Sequence, residues 1–358
     1  MASPGSDSTL DPLLTAFHSG KRIALARAIS VVENERSGYQ ELLHRVLAQG
    51  LHSARVGLTG PPGAGKSSLV AALSQAWRDL DERVGIVAVD PTSPYSGGAL
   101  LGDRIRMNDL ATDPGIFIRS MATRGSLGGL ATTTKEVIDL MDGFGFARIL
   151  VETVGVGQTE LEITTAADTV VVVLVPESGD GVQAMKAGLM EIADIFVVNK
   201  ADRPGAQRLV KELRQAIHLR AGEALKDIPA HHGVDMAAAV RNRDGDKEPR
   251  RWERPEGWQI PVLATTAHTG DGVPELLEAI EAHRSHLETS GELEERRRRR
   301  AETRVRDVVE RELRRMARRA VAGEPLTRAL DRIVQGEATP YSVAGDFVER
   351  IVGGGEAG

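Results

Sequence analysis

The sequence predicts an α/β fold with a doubly wound, mostly parallel sheet and helical extensions at both ends of the chain. Between residues 55 and 285, short runs rich in β-branched residues alternate with longer stretches of helical periodicity. Most of these runs are apolar throughout, which is typical of strands that helices cover on both faces. Regular strand–helix–strand alternation favours a parallel sheet. The 358 residues are enough for one such domain with extensions.

The predicted organisation has four parts. Residues 1–12, rich in Ser, Gly, Pro and Asp, are expected to form a disordered tail. Residues 13–54 are predicted to be a helical extension with a break at Gly20. Residues 55–285 form the sheet domain, and residues 286–358 form a charged helical arm that ends in a loose tail. The predicted strands are, in chain order, RVGLTG, RVGIVAVD, GIFIRS, FARILVETVG, TVVVVLVP, IFVVNK and IPVLATTA.

Composition excludes several classes of protein. A formal net charge of −6 argues against a protein that mainly grips nucleic acid, because phosphate binding needs a basic surface. No apolar run approaches the ~20 residues that cross a bilayer, so no membrane role is expected. Asp7 and Asp11 precede every Lys and Arg, which disfavours a mitochondrial presequence. With no cysteine for a disulfide or a thiolate metal site, the expected location is cytoplasmic.

The strongest motif follows the first predicted strand and precedes a predicted helix. The segment GPPGAGKS fits the pattern G-x-x-x-x-G-K-[ST] of a P-loop, whose backbone N–H groups cradle phosphates. The motif predicts that Lys66 reaches the β- and γ-phosphates and that the Ser67 hydroxyl ligates Mg²⁺. The predicted nucleotide-binding residues here are Gly60, Pro61, Pro62, Gly63, Ala64, Gly65, Lys66, Ser67 and Ser68.

A second motif indicates which base is bound. Asn199, Lys200 and Asp202 follow an apolar strand in the pattern N-K-x-D of the guanine-reading loop. A carboxylate there accepts hydrogen bonds from guanine N1–H and its exocyclic amine, donors that adenine lacks. Because bonds to a charged group contribute about 1.5–3 kcal/mol each, we expect GTP and GDP as ligands. Thr266 and Ala267 occupy the place of the loop that backs the base, a weaker signal alone.

Three acidic residues are candidates for binding magnesium. Glu152 ends a strand, and Gly155 follows three residues later, where its N–H can sense the γ-phosphate. Asp90 also ends a strand, although capping of the turn before Pro91 explains it equally well. For Asp103 the residues alone favour a helix N-cap.

Longer segments of the chain resemble the MeaB/ArgK family of P-loop GTPases, relatives of the human methylmalonic aciduria type A protein. The resemblance runs from about residue 13 to residue 350 and includes a glutamate at position 152, where most GTPases have an aspartate. It implies a P-loop NTPase fold of the G-domain type. The segments that carry it are GKRIALARAISVVEN, GPPGAGKSS, VDPTSPYSGGALLGDRIRM, FIRSMATRGSLGGLA, VETVGVGQTE, PESGDGVQAMKAGLMEIADIFVVNKAD and the charged C-terminal arm.

The resemblance also implies roles for individual residues. Asp90, Asp103 and Glu152 become catalytic and magnesium-binding residues beside Lys66. Residues 177–188 become a switch that reports the nucleotide state to a partner; its polar members are Asp180, Gln183 and Lys186.

In family terms the expected function is a GTP-hydrolysing chaperone for methylmalonyl-CoA mutase or a related adenosylcobalamin-dependent acyl-CoA mutase. It would gate cofactor loading and protect the mutase from inactivation. Small signalling GTPases carry a water-orienting Gln directly after the switch glycine, but here Val156 takes that place and Gln158 lies further on. We therefore expect slow hydrolysis without a partner; Arg106 and Arg124 are candidates for an activating arginine, although surface roles fit them better.

The C-terminal arm is expected to join two copies of the chain. Its run RRRRR at 296–300 is flanked by acidic residues, which favours a solvated helix of mixed charge over a nucleic-acid site. A homodimer is expected through one apolar stripe of this helix. The stripe comprises Val305, Val308, Val309, Leu313, Met316 and Ala320.

Two other functions compete with the chaperone. A metallochaperone GTPase is disfavoured because the chain has no cysteine and no His-rich tract. A transport-coupled kinase or ATPase of the ArgK type is disfavoured by the intact N-K-x-D motif, which selects against ATP.

Overall fold

The structure is a computed structural model of the whole chain. It describes residues 7–90, 110, 112–122, 132–153, 162–176, 188–220 and 257–353. The chain forms two compact units, Met1–Arg297 and Arg298–Gly358.

The first unit is built on a seven-stranded sheet in the order β3-β2-β4-β1-β5-β6-β7. Every neighbouring pair of strands is parallel, which confirms the predicted fold class. Each predicted strand is present, shortened by a residue or more at one or both ends or shifted by one or two. The strands are β1 (Ala54–Thr59), β2 (Val84–Asp90), β3 (Ile116–Ala122), β4 (Arg148–Thr153), β5 (Thr169–Leu174), β6 (Ile195–Val198) and β7 (Val262–Ala264).

Helices cover both faces of this sheet. Alternate residues of one strand point to opposite faces: Val87 packs with the helices within residues 7–47 and 132–143, whereas Ile86 packs with those at 66–79 and 273–290. The helices are α1 (Asp7–His18), α2 (Arg22–Glu33), α3 (Tyr39–Leu47), α4 (Lys66–Asp79), α5 (Thr132–Gly143), α6 (Leu189–Ile192), α7 (Ala206–Arg220), α8 (Val273–Ser290), α9 (Glu292–Ala320), α10 (Glu324–Val334) and α11 (Pro340–Gly353).

The N-terminal helices belong to the core of the first unit. Phe17 is fully buried and packs edge-on against Phe144, 5.2 Å between ring centroids. Gly20, with φ of +76°, separates α1 from α2 as predicted. The prediction of disorder is wrong for residues 7–12, because α1 begins at Asp7. Leu10 is 5% exposed, and burial of such side chains stabilises a helix whose composition suggests a tail.

Buried carboxylates fix the amino ends of the strands. Asp142 accepts hydrogen bonds from the backbone N–H groups of His52 and Ser53 at 2.8 and 3.0 Å. It also pairs with Arg55 on β1, whose guanidinium contacts Asp139 at 2.9 Å. Burial raises the pKa of Asp142, but the Arg55 charge and the backbone N–H groups outweigh it and hold that pKa below its usual range.

A second buried group lies at the amino ends of β5 and β6. Asp194 is fully buried and accepts a hydrogen bond from Val170 N at 2.9 Å. His283 of α8 lies 3.2 Å from it, and Arg296 donates to its carboxylate at 3.2 and 3.3 Å. The expectation of a solvated helix is therefore wrong at Arg296, and Arg297 also donates to a backbone carbonyl.

The second unit contains most of α9 and all of α10 and α11. Its small core is formed by Ala329, Val343 and Phe347. The α9 helix has no buried residue, and the side chains of the predicted stripe are largely exposed. The boundary expected between residues 285 and 286 falls inside α8, which continues to Ser290.

Among the described residues, no helix is both long enough and apolar enough to cross a lipid bilayer.

Replacing Asp142 with alanine should lower the free energy of unfolding by about 3–5 kcal/mol, because Arg55 would keep a buried charge with less compensation. Urea unfolding of the full chain measures this loss. Glu212→Ala removes an exposed ion pair with Arg208 on α7 and should cost much less. An equal decrease in the free energy of unfolding in the two variants would show that the ion pairs of Arg55 with Asp139 and Asp142 do not stabilise the sheet.

The free energy of unfolding should also decrease as the pH is lowered, because His283 is buried in its neutral form. Burial lowers the pKa of His283 from 6.5 to about 4, although Glu292 and Asp168 oppose the shift. Between these values the unfolded chain binds the extra proton, so stability rises with pH and is lost on acidification, by about 3 kcal/mol in all. Asp142 contributes its full stabilisation above its unfolded pKa, near pH 4, and that stabilisation is lost only below it, so the two pH windows are distinct. Unfolding measured from pH 7 to 4 should be flatter in His283→Gln; an unchanged slope would contradict this assignment.

Candidate functional site

The P-loop residues connect the carboxyl end of β1 with the start of α4. Gly60 has φ of +134°, and a Cβ at this position would lie 2.0 Å from the carbonyl oxygen of Val173 on β5. Only glycine lets the loop pass this close to the neighbouring strand. The parallel sheet thus holds the loop where phosphate-binding loops occur, at the carboxyl edge of the sheet.

Asn199, directly after β6, links the P-loop to the predicted base-reading loop. It is 2% exposed, and its Nδ2 donates to Ala64 O at 2.8 Å. Its Oδ1 accepts from Thr265 Oγ1 at 3.1 Å and from Ala267 N at 3.2 Å. Three loops therefore meet on one amide side chain. Gly65 leaves room for it, since a Cβ there would lie 2.3 Å from Nδ2.

Lys66 lies inside the curve of the P-loop. Its Nζ donates to Gly60 O at 2.8 Å and to Pro61 O at 3.0 Å, and the residue is 5% exposed. A buried ammonium held by carbonyl oxygens places a positive charge in the loop at the beginning of α4. This arrangement suits a phosphate group, which the ammonium can meet as a strong donor.

Ser67 and Glu152, two of the predicted metal-binding residues, are in direct contact. The Ser67 hydroxyl donates to Glu152 Oε1 at 2.6 Å, and the two residues are 7% and 6% exposed. Strand register explains the contact: β4 lies between β2 and β1, and Glu152 is level with Leu58, two residues before the P-loop. A hydroxyl and a carboxylate are oxygen donors of the kind that Mg²⁺ prefers, so these side chains fit that ion.

The predicted base-reading loop is held by backbone hydrogen bonds. Ala201 N donates to Thr265 O at 2.9 Å, and Lys200 has a left-handed φ of +57°. Asp202 follows on the exposed turn, where its carboxylate is open to solvent. Thr266 N donates to Asp271 O at 2.8 Å, which closes the turn that contains the predicted backing residues Thr266 and Ala267.

Several predicted site residues lie outside the description of the structure. The backbone of Asp90 ends β2, the neighbour of β4, but only its backbone is described. The other predicted residues outside the described ranges are Asp103, Gly155, Asp180, Gln183 and Lys186, together with Arg106, Arg124 and Gln158.

Two site residues escaped prediction from the sequence. Thr265 bonds Asn199, and Thr153 bonds Thr59 between the ends of β4 and β1, 2.9 Å between hydroxyls. Both threonines stand directly beside predicted residues, Thr266 and Glu152. The only signal was a polar residue at the end of an apolar strand, which many strands share.

The comparison with protein families agrees with this geometry. The model of the family described as methylmalonyl Co-A mutase-associated GTPase MeaB matches residues 25–322. The chain belongs to the MeaB family of GTPases. A guanine nucleotide is the ligand that membership in this GTPase family implies.

Curated relatives of this MeaB-family chain share most of its length. A candidate GTPase of Pyrococcus abyssi is 43% identical over 346 residues, 97% of this chain and 98% of the relative. The GTPase ArgK of Escherichia coli is 33% identical over 294 residues, 81% of this chain and 80% of that protein. The mouse protein named methylmalonic aciduria type A homolog, mitochondrial, is 35% identical over 305 residues, 80% of this chain and 66% of its own length.

A solved structure supports the same fold. The crystal structure titled LAO/AO transport system kinase aligns with a TM-score of 0.62 and covers 98% of this MeaB-family chain and 99% of that chain. At 24% identity the likeness concerns the fold alone.

Replacing Gly65 with alanine should weaken GTP binding at least about tenfold, because the new Cβ displaces Asn199 from the P-loop. The matched control is Gly63→Ala. Gly63 has a similar φ of +77°, but a Cβ there meets no atom of the described residues within 4 Å. Both variants carry the backbone strain of a left-handed alanine, about 1–2 kcal/mol, and only the first moves Asn199.

Titration with a fluorescent GTP analogue measures both affinities. Equal losses in the two variants would mean that backbone strain, rather than the Asn199 contact, limits binding.

Proposed function

We propose that this MeaB-family protein is a Mg²⁺-dependent, GTP-hydrolysing chaperone of an adenosylcobalamin-dependent acyl-CoA mutase, with methylmalonyl-CoA mutase as the first candidate. The observation that carries the nucleotide part is the Asn199 bridge between the P-loop and the loop that contains Asp202. The bridge sets the phosphate-binding and base-binding residues at a fixed separation. A nucleoside triphosphate that satisfies both ends must therefore carry the matching base.

Guanine is the base that the loop favours. Asp202 is exposed at the end of the N-K-x-D turn, so its carboxylate can accept two hydrogen bonds from a base edge. Lys200 is half-buried beside Asn199 and completes the loop. An adenine at the same place leaves the carboxylate without its donors, which costs about the same energy that guanine gains.

Hydrolysis requires charge stabilisation around the γ-phosphate. In this proposal Lys66 leaves its loop carbonyls to contact the β- and γ-phosphates, and Gly155 N–H senses the γ-phosphate. Ser67 and Glu152, with Asp90 and Asp103, would hold Mg²⁺. When bound, Mg²⁺ neutralises phosphate charge. Without the ion, the Ser67 hydroxyl donates a hydrogen bond to the Glu152 carboxylate, which keeps both oxygens in place near the carboxyl ends of β1 and β4.

Partner control follows from the residues after Glu152. The position directly after Gly155 is Val156, which has no group that could orient water, and Gln158 lies two residues further on. We therefore propose slow hydrolysis by the chain alone and acceleration when the client moves the switch residues Asp180, Gln183 and Lys186. The family description, which names an association with methylmalonyl Co-A mutase, supports the client. The name of the mouse relative supports it also.

The proposed assembly is a homodimer through α9 in a cytoplasmic protein. Along this helix Val305, Val309, Leu313 and Met316 are 63, 50, 55 and 52% exposed and recur at three- and four-residue spacing. An apolar stripe of this length on an otherwise charged helix is favourable to bury against a second copy.

Asp202→Asn should shift the preference of the protein from GTP toward xanthosine triphosphate, whose base offers an acceptor where guanine has its amine. Loss of two charge-assisted bonds predicts a fall in GTP affinity of about 100-fold or more. Competition binding measures the ratio of the two affinities. Asp79→Asn, a surface change on α4, should leave that ratio unaltered, and an unaltered ratio in Asp202→Asn would sink the guanine assignment.

The chaperone function is tested by GTP turnover with and without purified methylmalonyl-CoA mutase, together with size-exclusion chromatography of the mixture. We expect a complex and a faster turnover. If no complex forms and the rate does not change with this mutase or with a related acyl-CoA mutase, the result would favour the transport-coupled role of the ArgK type. A rate that responds to nickel and not to a mutase would favour a metallochaperone.

A further inference from the structure

Three arginines lie together at the amino ends of β2 and β3. Arg22 begins α2, Arg78 is in the last turn of α4, and Arg83 directly precedes β2. Asp113, just before β3, joins two of them: Arg22 donates to its carbonyl oxygen at 3.0 Å, and Arg78 Nε lies 3.2 Å from both carboxylate oxygens. The group is a strand length, about 20 Å, from the nucleotide site at the other edge of the sheet.

Aromatic rings support two of these arginines. The guanidinium carbon of Arg83 lies over Phe144 and Phe146, 5.1 and 4.9 Å from the ring centroids. That of Arg22 lies 5.8 Å from the centroid of Phe117. A guanidinium held on an aromatic face keeps a fixed plane, and its N–H donors lie around the edge of that plane. This preorganised arrangement is the one that binds an oxyanion with two parallel hydrogen bonds.

The Asp113 and Glu82 carboxylates near these arginines already have hydrogen-bond or ion-pair partners. The Asp113 carboxylate is bonded by Gly115 N and by Arg78, and these contacts, with the charge of Arg22, hold its pKa below the usual range. Glu82 pairs with Arg148. In the described part of the chain, no carboxylate pairs with Arg83.

The positive charge is therefore in excess. Burial lowers the pKa of Arg83, and the charges of Arg22 and Arg78 lower it further. The first turn of α2 contains no acidic residue, although acids are favoured at that end of a helix, and Lys21 precedes it. Like charges that repel each other on a rigid support gain most from a bound anion.

We propose that Arg83 and Arg22 form a binding site for a small oxyanion, a phosphate or a carboxylate group, separate from the nucleotide site. The two guanidinium groups would share the anion, and Arg78 would remain with Asp113. Arg22 belongs to the segment GKRIALARAISVVEN, to which the proposed nucleotide binding assigns no role. A phosphate could be free or part of a larger molecule, and a carboxylate could belong to an acidic segment of a protein.

The test is calorimetric titration of inorganic phosphate into the full chain saturated with GDP and Mg²⁺, so that the P-loop is already occupied. We expect saturable binding to the wild type, weakened about tenfold or more in Arg83→Gln and in Arg22→Gln, since each loses charge-assisted hydrogen bonds. Arg208→Gln removes an exposed arginine of α7 and should bind phosphate as the wild type does.

The carboxylate source is tested in a second titration with hexaglutamate. Binding of either probe that depends on Arg83 and Arg22 supports the site, and the stronger probe identifies the source. Binding of neither probe, or equal binding by all four proteins, would overturn the proposal. Thermal unfolding and GTP turnover show whether each variant is folded; if Arg83→Gln is not, the Arg22→Gln comparison alone decides the result.

Discussion

The side-chain amide of Asn199 is the contact on which the nucleotide site depends. It donates to the P-loop at Ala64 and accepts from Thr265 and Ala267. The loops that follow β1, β6 and β7 therefore share one buried amide. A buried amide is costly unless its donors and acceptors are satisfied. This requirement fixes the relative position of the three loops before any ligand binds. It also explains why Gly65 must lack a side chain.

The two edges of the sheet have different roles because all strands run the same way. The carboxyl edge contains the side chains that are predicted to bind phosphate and magnesium, among them Lys66, Ser67 and Glu152. At the amino edge, carboxylates such as Asp142 and Asp194 bond the backbone N–H groups at or near the strand starts. Their ion pairs with arginines stabilise that edge and leave the opposite one free for function. Arg83 is the exception, since no carboxylate of the described residues pairs with it, although Asp113 pairs with the neighbouring Arg78.

Much of the fold could be predicted from the sequence because local signals and tertiary packing agree. The strand runs were apolar, the P-loop glycines have the geometry that their motif requires, and Gly20 separates two helices. Prediction failed where packing overrides composition. Residues 7–12 look like a tail but become helical since Leu10 is buried, and Arg296 looks solvated but reaches Asp194 from a neighbouring helix. Contacts such as Thr59–Thr153 depend on strand order, which no short segment specifies.

The buried Ser67–Glu152 pair is the structural basis of the proposed switch, because it joins the P-loop to the segment that would sense the γ-phosphate. The most direct measurement is single-turnover hydrolysis of GTP by Glu152→Gln, at several Mg²⁺ concentrations, with and without methylmalonyl-CoA mutase. Glu82→Gln, which changes a glutamate paired with Arg148 at the amino edge of the sheet, is the control. We predict that Glu152→Gln loses at least about tenfold in Mg²⁺-dependent rate or loses its activation by the mutase, while the control keeps both. A Glu152→Gln protein with the wild-type rate, Mg²⁺ dependence and activation would contradict the account.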